Sequence, residues 1–168
     1  MTASEIVLPT RPAAVTTSLP AVLPIELQSL TQIPYGPHLM GDLPGCDPAK
    51  MLDGPFIYRF MNAVVSVAEM RPIGSPHLDL YTGPHKEWEG FSATVHIQTS
   101  HITAHFFAFG YVFCDLFSCR PFDREKTRRF IEAELEPSAP AIWCEVSRGR
   151  NFPVALIDAA QVATHRGR

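Results

Sequence analysis

The stretch QTSHITAHFFAFGYVFCDLFSC, residues 98–119, sets Ser100, His101, His105 and Cys119 among residues that otherwise favour a buried strand. A hydroxyl, an imidazole and a thiol are the groups from which nucleophilic and general acid–base chemistry is built near neutral pH. Imidazole changes charge in that range, and a thiol gives or takes a proton when its surroundings tune it. The same residue types also occur as satisfied or merely small core residues of strands. Spacing alone leaves both readings open. On an extended chain His101 and His105 stand too far apart for simple shared ligation with Cys119. No zinc-ligand spacing accompanies them, so no metal is expected. Alternation in an unbroken strand also places Ser100 and His105 on opposite faces. They meet only if the strand bulges, or if the bond before Ser100 sits in a turn.

The elements that must carry these residues follow from periodicity. YGPHLMGDL reads as a first strand, and Asp53 is placed to cap a helix over about residues 55–69. Its apolar face is Phe56, Phe60 and Val64, joined by Ile57, Met61, Val65 and Ala68 at three- and four-residue steps. HLDLYT is a second strand. FSATVHIQT alternates, with Ala93, Val95 and Ile97 on one side and Thr94, His96 and Gln98 on the other. The material from His101 to Cys119 continues as strand, bent or interrupted near Gly110. Asp123 caps a second helix with Phe130, Ile131 and Leu135 inward, and AIWCEVS is a final strand. The order β-α-β-β-β-α-β predicts an α+β, two-layer sandwich: a mostly antiparallel sheet with helices on one face.

Length and composition bound the rest. The chain has 168 residues, 46% of them hydrophobic, which suits one domain with a sizeable core. Its net charge is -3, without a long basic run, which argues against nucleic-acid binding through phosphate neutralisation. Residues 1–33 read as a loosely ordered Pro-rich arm, residues 34–150 as the folded domain, and residues 151–168 as a C-terminal tail. Prolines break every short apolar piece of the arm, so neither a signal peptide nor a membrane span is expected. Cys46, Cys114, Cys119 and Cys144 form no CxxC pair, and free thiols in a cytoplasmic setting are the default expectation.

Taken in register, TSHITAHF, GYVFCDLFSC, YGPHLMGDLPGCD and VSRGR resemble the prokaryotic-type S-adenosylmethionine decarboxylase family, over about residues 35–150. Around its self-cleavage point that family reads Glu-Ser-His-(Ile/Leu)-(Ser/Thr)-Ile-His-Thr-Trp-Pro-Glu, followed by Tyr-Gly-Tyr and Asp-(Val/Leu)-Phe-(Thr/Ser)-Cys. The resemblance implies a proenzyme cut between Thr99 and Ser100. The serine hydroxyl attacks the preceding carbonyl, elimination of the ester cleaves the chain, and a pyruvoyl group is left on the second fragment. That self-derived cofactor forms a Schiff base with a substrate amine and accepts electrons as carbon dioxide departs. By the same resemblance Ser92 assists processing, His105 promotes ester elimination and Cys119 returns a proton to the substrate carbon. The implied product is decarboxylated S-adenosylmethionine for polyamine synthesis, and the implied assembly is a homodimer of processed protomers.

The sequence departs from the family in two places. Thr99 stands where the family has glutamate. After His105 the family's Thr-Trp-Pro-Glu becomes FFAF, one residue shorter before Gly110. The lost tryptophan stacks on adenine in the family, a role for which Phe106 offers an aromatic face. Trp88 stands near the position of a second stacking ring, and Glu87 or Glu89 offers a replacement carboxylate, each being equally an ordinary loop residue. Alternatives follow from these departures: a pyruvoyl-dependent decarboxylase of a free amino acid such as ornithine or arginine, or an unprocessed member of the fold that binds a ligand or regulates a partner.

Overall fold

A computed structural model describes residues 36–98 and 100–149. The Pro-rich arm and the C-terminal tail, and Thr99 itself, lie outside the described residues. The elements are β1 (Gly36–Pro44), a one-turn helix α1 (Pro48–Met51), α2 (Gly54–Val67), β2 (His77–Tyr81), a 3₁₀ turn (Lys86–Trp88), β3 (Gly90–Ile97), β4 (Ser100–Phe107), β5 (Tyr111–Ser118), α3 (Arg124–Leu135) and β6 (Ile142–Arg148). One antiparallel sheet in the order β2-β3-β4-β5-β1-β6 carries all six strands, with the helices on one side. This is the expected two-layer α+β sandwich, with the stretch from His101 to Cys119 divided into two strands rather than one bent strand. Gly110 makes the division. Its φ of 91° closes the β4–β5 hairpin, and its amide donates to the Phe107 carbonyl at 2.9 Å.

The helices form where the sequence supplies caps. Asp53 accepts the Phe56 amide at 3.0 Å and Asp123 the Lys126 amide at 2.9 Å. From α2 the side chains of Ile57, Phe60, Met61, Val64 and Val65 are buried against the sheet. α3 adds Ile131 and Leu135, and the Thr127 hydroxyl, also buried, donates to the Asp123 carbonyl at 2.7 Å. The sheet answers with alternate residues: Leu39 and Leu43 of β1, Ala93, Val95 and Ile97 of β3, Ile102, Ala104 and Phe106 of β4, and Val112 and Leu116 of β5. A side-chain period of two then sends the intervening residues to the other face. Among the described residues no helix covers that face.

Candidate active site

The uncovered face is where the polar residues of the strands collect. Met40, Asp42, Asp79, Ser92, Thr94, Thr103, His105, Phe113 and Asp115 line one open concavity across β1 to β5. Within it Ser92 and His105 are direct partners across the β3–β4 ladder, and Ser92 Oγ lies 2.8 Å from His105 Nδ1. Burial lowers the pKa of His105 from its ordinary value, which favours the neutral ring; in the tautomer whose Nδ1–H donates to Ser92 Oγ, Nε2 carries the free lone pair. A second pair lies beyond them, His38 Nε2 at 2.5 Å from Asp115 Oδ1.

Ser100 opens β4. Its cross-strand partners are Ile97 on β3 and Ser118 on β5, so residues 98 and 99 are the whole β3–β4 connection. Ser100 is thus the first residue after the β3–β4 connection. Ser100 is partly exposed, and its Oγ lies 3.2 Å from Nδ1 of His101. Cys119 follows the last residue of β5 at this same end of the sheet and is partly exposed. Cys114, by contrast, is buried on the helix side, where burial foremost and then the Asp115 charge push its thiol pKa far up. Of these two thiols, Cys119 is the more accessible.

Ser100 and His105 do not meet within the chain. Their five-residue separation puts them at opposite ends of β4, roughly 17 Å apart along the strand. Ile102, Ala104 and Phe106, of Ser100's parity, face the helices, while His105 faces the concavity. The conflict posed by alternation is therefore present in the fold. No bulge removes it, because the β3–β4 register runs unbroken from Gly90↔Phe107 to Ile97↔Ser100.

The aromatic candidates also separate by face. Phe106 is 0% exposed and packs edge-on against Phe60 at 5.8 Å, so it belongs to the core and offers no ring to a ligand. Its neighbour Phe107, 7% exposed, has the parity of His105 and packs on the open side of the sheet. Phe107 lies 4.3 Å from the His105 ring, 5.1 Å from Phe109, 5.6 Å from Phe113 and 6.5 Å from Trp88. The signal for it was the register itself: two residues after His105, Phe107 stands in line with the family's tryptophan. Trp88 is 56% exposed at the rim of this cluster. Glu87 pairs with His85 at 3.2 Å and Glu89 with Lys86 at 3.1 Å, all on the same short segment. The Phe113 ring was not singled out by sequence pattern.

A family model described as S-adenosylmethionine decarboxylase matches residues 37–149, the whole of the folded region. The chain belongs to the S-adenosylmethionine decarboxylase family. Among solved structures, the crystal structure of the adenosylmethionine decarboxylase from Aquifex aeolicus VF5 is similar at 26% identity with a TM-score of 0.57. The match covers 68% of this chain and 91% of that one. No curated protein matches the chain. Among the described residues no group of three or more His, Cys, Asp or Glu is placed to hold a metal, and no helix is long and apolar enough to cross a membrane.

Proposed function

We propose that the chain is a self-processing, pyruvoyl-dependent S-adenosylmethionine decarboxylase whose product feeds polyamine synthesis. The observation that carries this reading is the position of Ser100 at the first residue of β4, directly after the β3–β4 connection. A nick there costs little. The two fragments remain joined by the eight-residue β3–β4 pairing and by the shared core on the helix side. A partly exposed serine at the very start of a strand also has fewer ladder constraints on the side of the preceding carbonyl than one in mid-strand.

The residues around Ser100 suit a group made from it. Cys119, at the end of the neighbouring strand, is the proton donor to the substrate carbon. A pyruvoyl group at position 100 supplies an electrophilic ketone and an electron sink to an amine substrate. Around it, this chain binds, orients and moves protons. Neutral His105, with Ser92 holding Nδ1, is a general base. The aromatic cluster of Phe107, Phe109, Phe113 and Trp88 provides ring faces for a nucleoside, with Phe107 in the role first assigned to Phe106.

A single chain leaves Ser100 and Cys119 at one end of the sheet and Ser92 and His105 towards the other. We infer that two copies associate through these faces, strands head to tail, so that the Ser100 end of one protomer meets the partner's His105. Phe113, Ile142 and Val146 are 47%, 65% and 43% exposed on strands facing away from the helices, the apolar signature of a face that another layer covers. The thiol state of all four cysteines fits a cytoplasmic enzyme.

Substrate identity is tested by trapping carbon dioxide from labelled S-adenosylmethionine, ornithine and arginine supplied separately. Release from S-adenosylmethionine alone is expected. Release from ornithine or arginine alone would overturn the nucleoside assignment while keeping the chemistry.

A further inference from the structure

At the end of the sheet where β4 begins, the face away from the helices carries a cation held in a fixed place. Arg148, the last residue of β6, is two strands away from β5, with β1 between them. Its partner on β1 is Gly36. Glycine leaves the way across β1 clear, and it also has no alternative: a Cβ there would lie 2.0 Å from the Ser118 carbonyl oxygen. Across this gap the Arg148 guanidinium rests over the Phe117 ring, 4.1 Å from its centroid. Phe117 is paired with His101, the neighbour of Ser100, and His38 and His101 flank the same ring at 5.6 and 6.2 Å. His38 is committed to Asp115, whereas Arg148 has no carboxylate partner among the described residues.

A guanidinium lying flat on an aromatic face keeps its edge donors directed outward and loses little freedom on binding an anion. In an α-amino acid the amine nitrogen and the carboxylate carbon share one carbon and lie only about 2.5 Å apart. A substrate whose amine is engaged at the Ser100 end therefore presents its carboxylate in the same neighbourhood. We propose that Arg148, braced by Phe117, is the anchor for the substrate α-carboxylate. The proposal rests on the decarboxylase reading above and adds to it a specificity residue. The anchor fixes the direction of the bond to be broken and distinguishes the acid from its decarboxylated product, which lacks the group that Arg148 holds.

The test is equilibrium dialysis of S-adenosylmethionine and of its decarboxylated form against full-length protein, in a Cys119→Ala background that slows turnover. Arg148→Gln should weaken binding of the acid about tenfold, the size of one charge-assisted contact, and change binding of the amine less than about twofold. Arg148→Lys should restore most of the difference, and Phe117→Leu should erode it without removing the charge. Equal losses for both ligands, no loss for either, or a fall in oligomeric mass with Arg148→Gln would overturn the anchor. Failure of both ligands to bind the starting protein would overturn the decarboxylase reading and the anchor with it.

Discussion

Ser92 Oγ and His105 Nδ1 lie 2.8 Å apart on adjacent strands, in direct cross-strand register and on the face opposite the core. Two consequences follow. The pair is built by ordinary sheet geometry, so it exists before any cleavage occurs. It is also fixed at a distance from Ser100 that one chain cannot close.

Ser92 and His105 should therefore govern processing through the neutral ring. Burial holds the His105 pKa below its ordinary value of about 6.5. The neutral base is then the main form at pH 7, and the processing rate should rise with pH and level off above about 6.5. His105→Gln should slow cleavage about 100-fold and remove that acid limb. Gel densitometry of newly made protein between pH 5 and 8 measures both.

The same shift has a stability consequence. As pH falls, the unfolded chain takes up a proton at this histidine before the folded chain does. Stability is thus lost as pH drops from about 6.5 through the lower folded value. Urea midpoints at pH 7.5 and 5.5 should differ less in His105→Gln than in wild type.

Cys119→Ala should leave cleavage intact and reduce carbon dioxide release about 100-fold or more, the usual scale for losing a positioned proton donor. Full turnover in this variant would assign the proton transfer elsewhere.

Two neighbouring phenylalanines should behave oppositely. Phe106→Ala removes a fully buried ring and should cost about 3–5 kcal/mol in urea unfolding. Phe107→Leu keeps most apolar volume and should instead raise KM for a nucleoside substrate while changing stability little. Parallel unfolding and steady-state assays of the two variants decide the matter.

Much of the scaffold was legible because local rules and the global fold agree. Asp53 and Asp123 cap the helices they precede, and Ala93, Val95 and Ile97 enter the core as alternation requires. The hairpin at Gly110 was visible only as an interruption, since a glycine in a strand pattern does not say whether the chain bends or reverses. Phe106 was misplaced as a ring for the ligand because two adjacent aromatics look alike until parity assigns one to each face. Ser92 and His105 could be named by resemblance, but their contact depends on the β3–β4 register, which strand patterns alone do not fix. Arg148 was visible only as part of VSRGR: its contact with Phe117 crosses β1, a strand far away in sequence.

Assembly through the open faces predicts complementation. Co-expressed in equal amounts, Cys119→Ala and His105→Gln chains should give mixed dimers in half the population, each with one intact site of two. Activity of about a quarter of wild type is expected, where each variant alone is nearly inactive. No gain on mixing would mean that each chain completes its own site.

The most direct measurement is the intact mass of freshly purified wild-type protein. Two fragments are predicted, residues 1–99 and residues 100–168, the second beginning with a ketone that reacts with hydroxylamine. A single unbroken chain of full mass, unreactive toward hydroxylamine, would contradict the account.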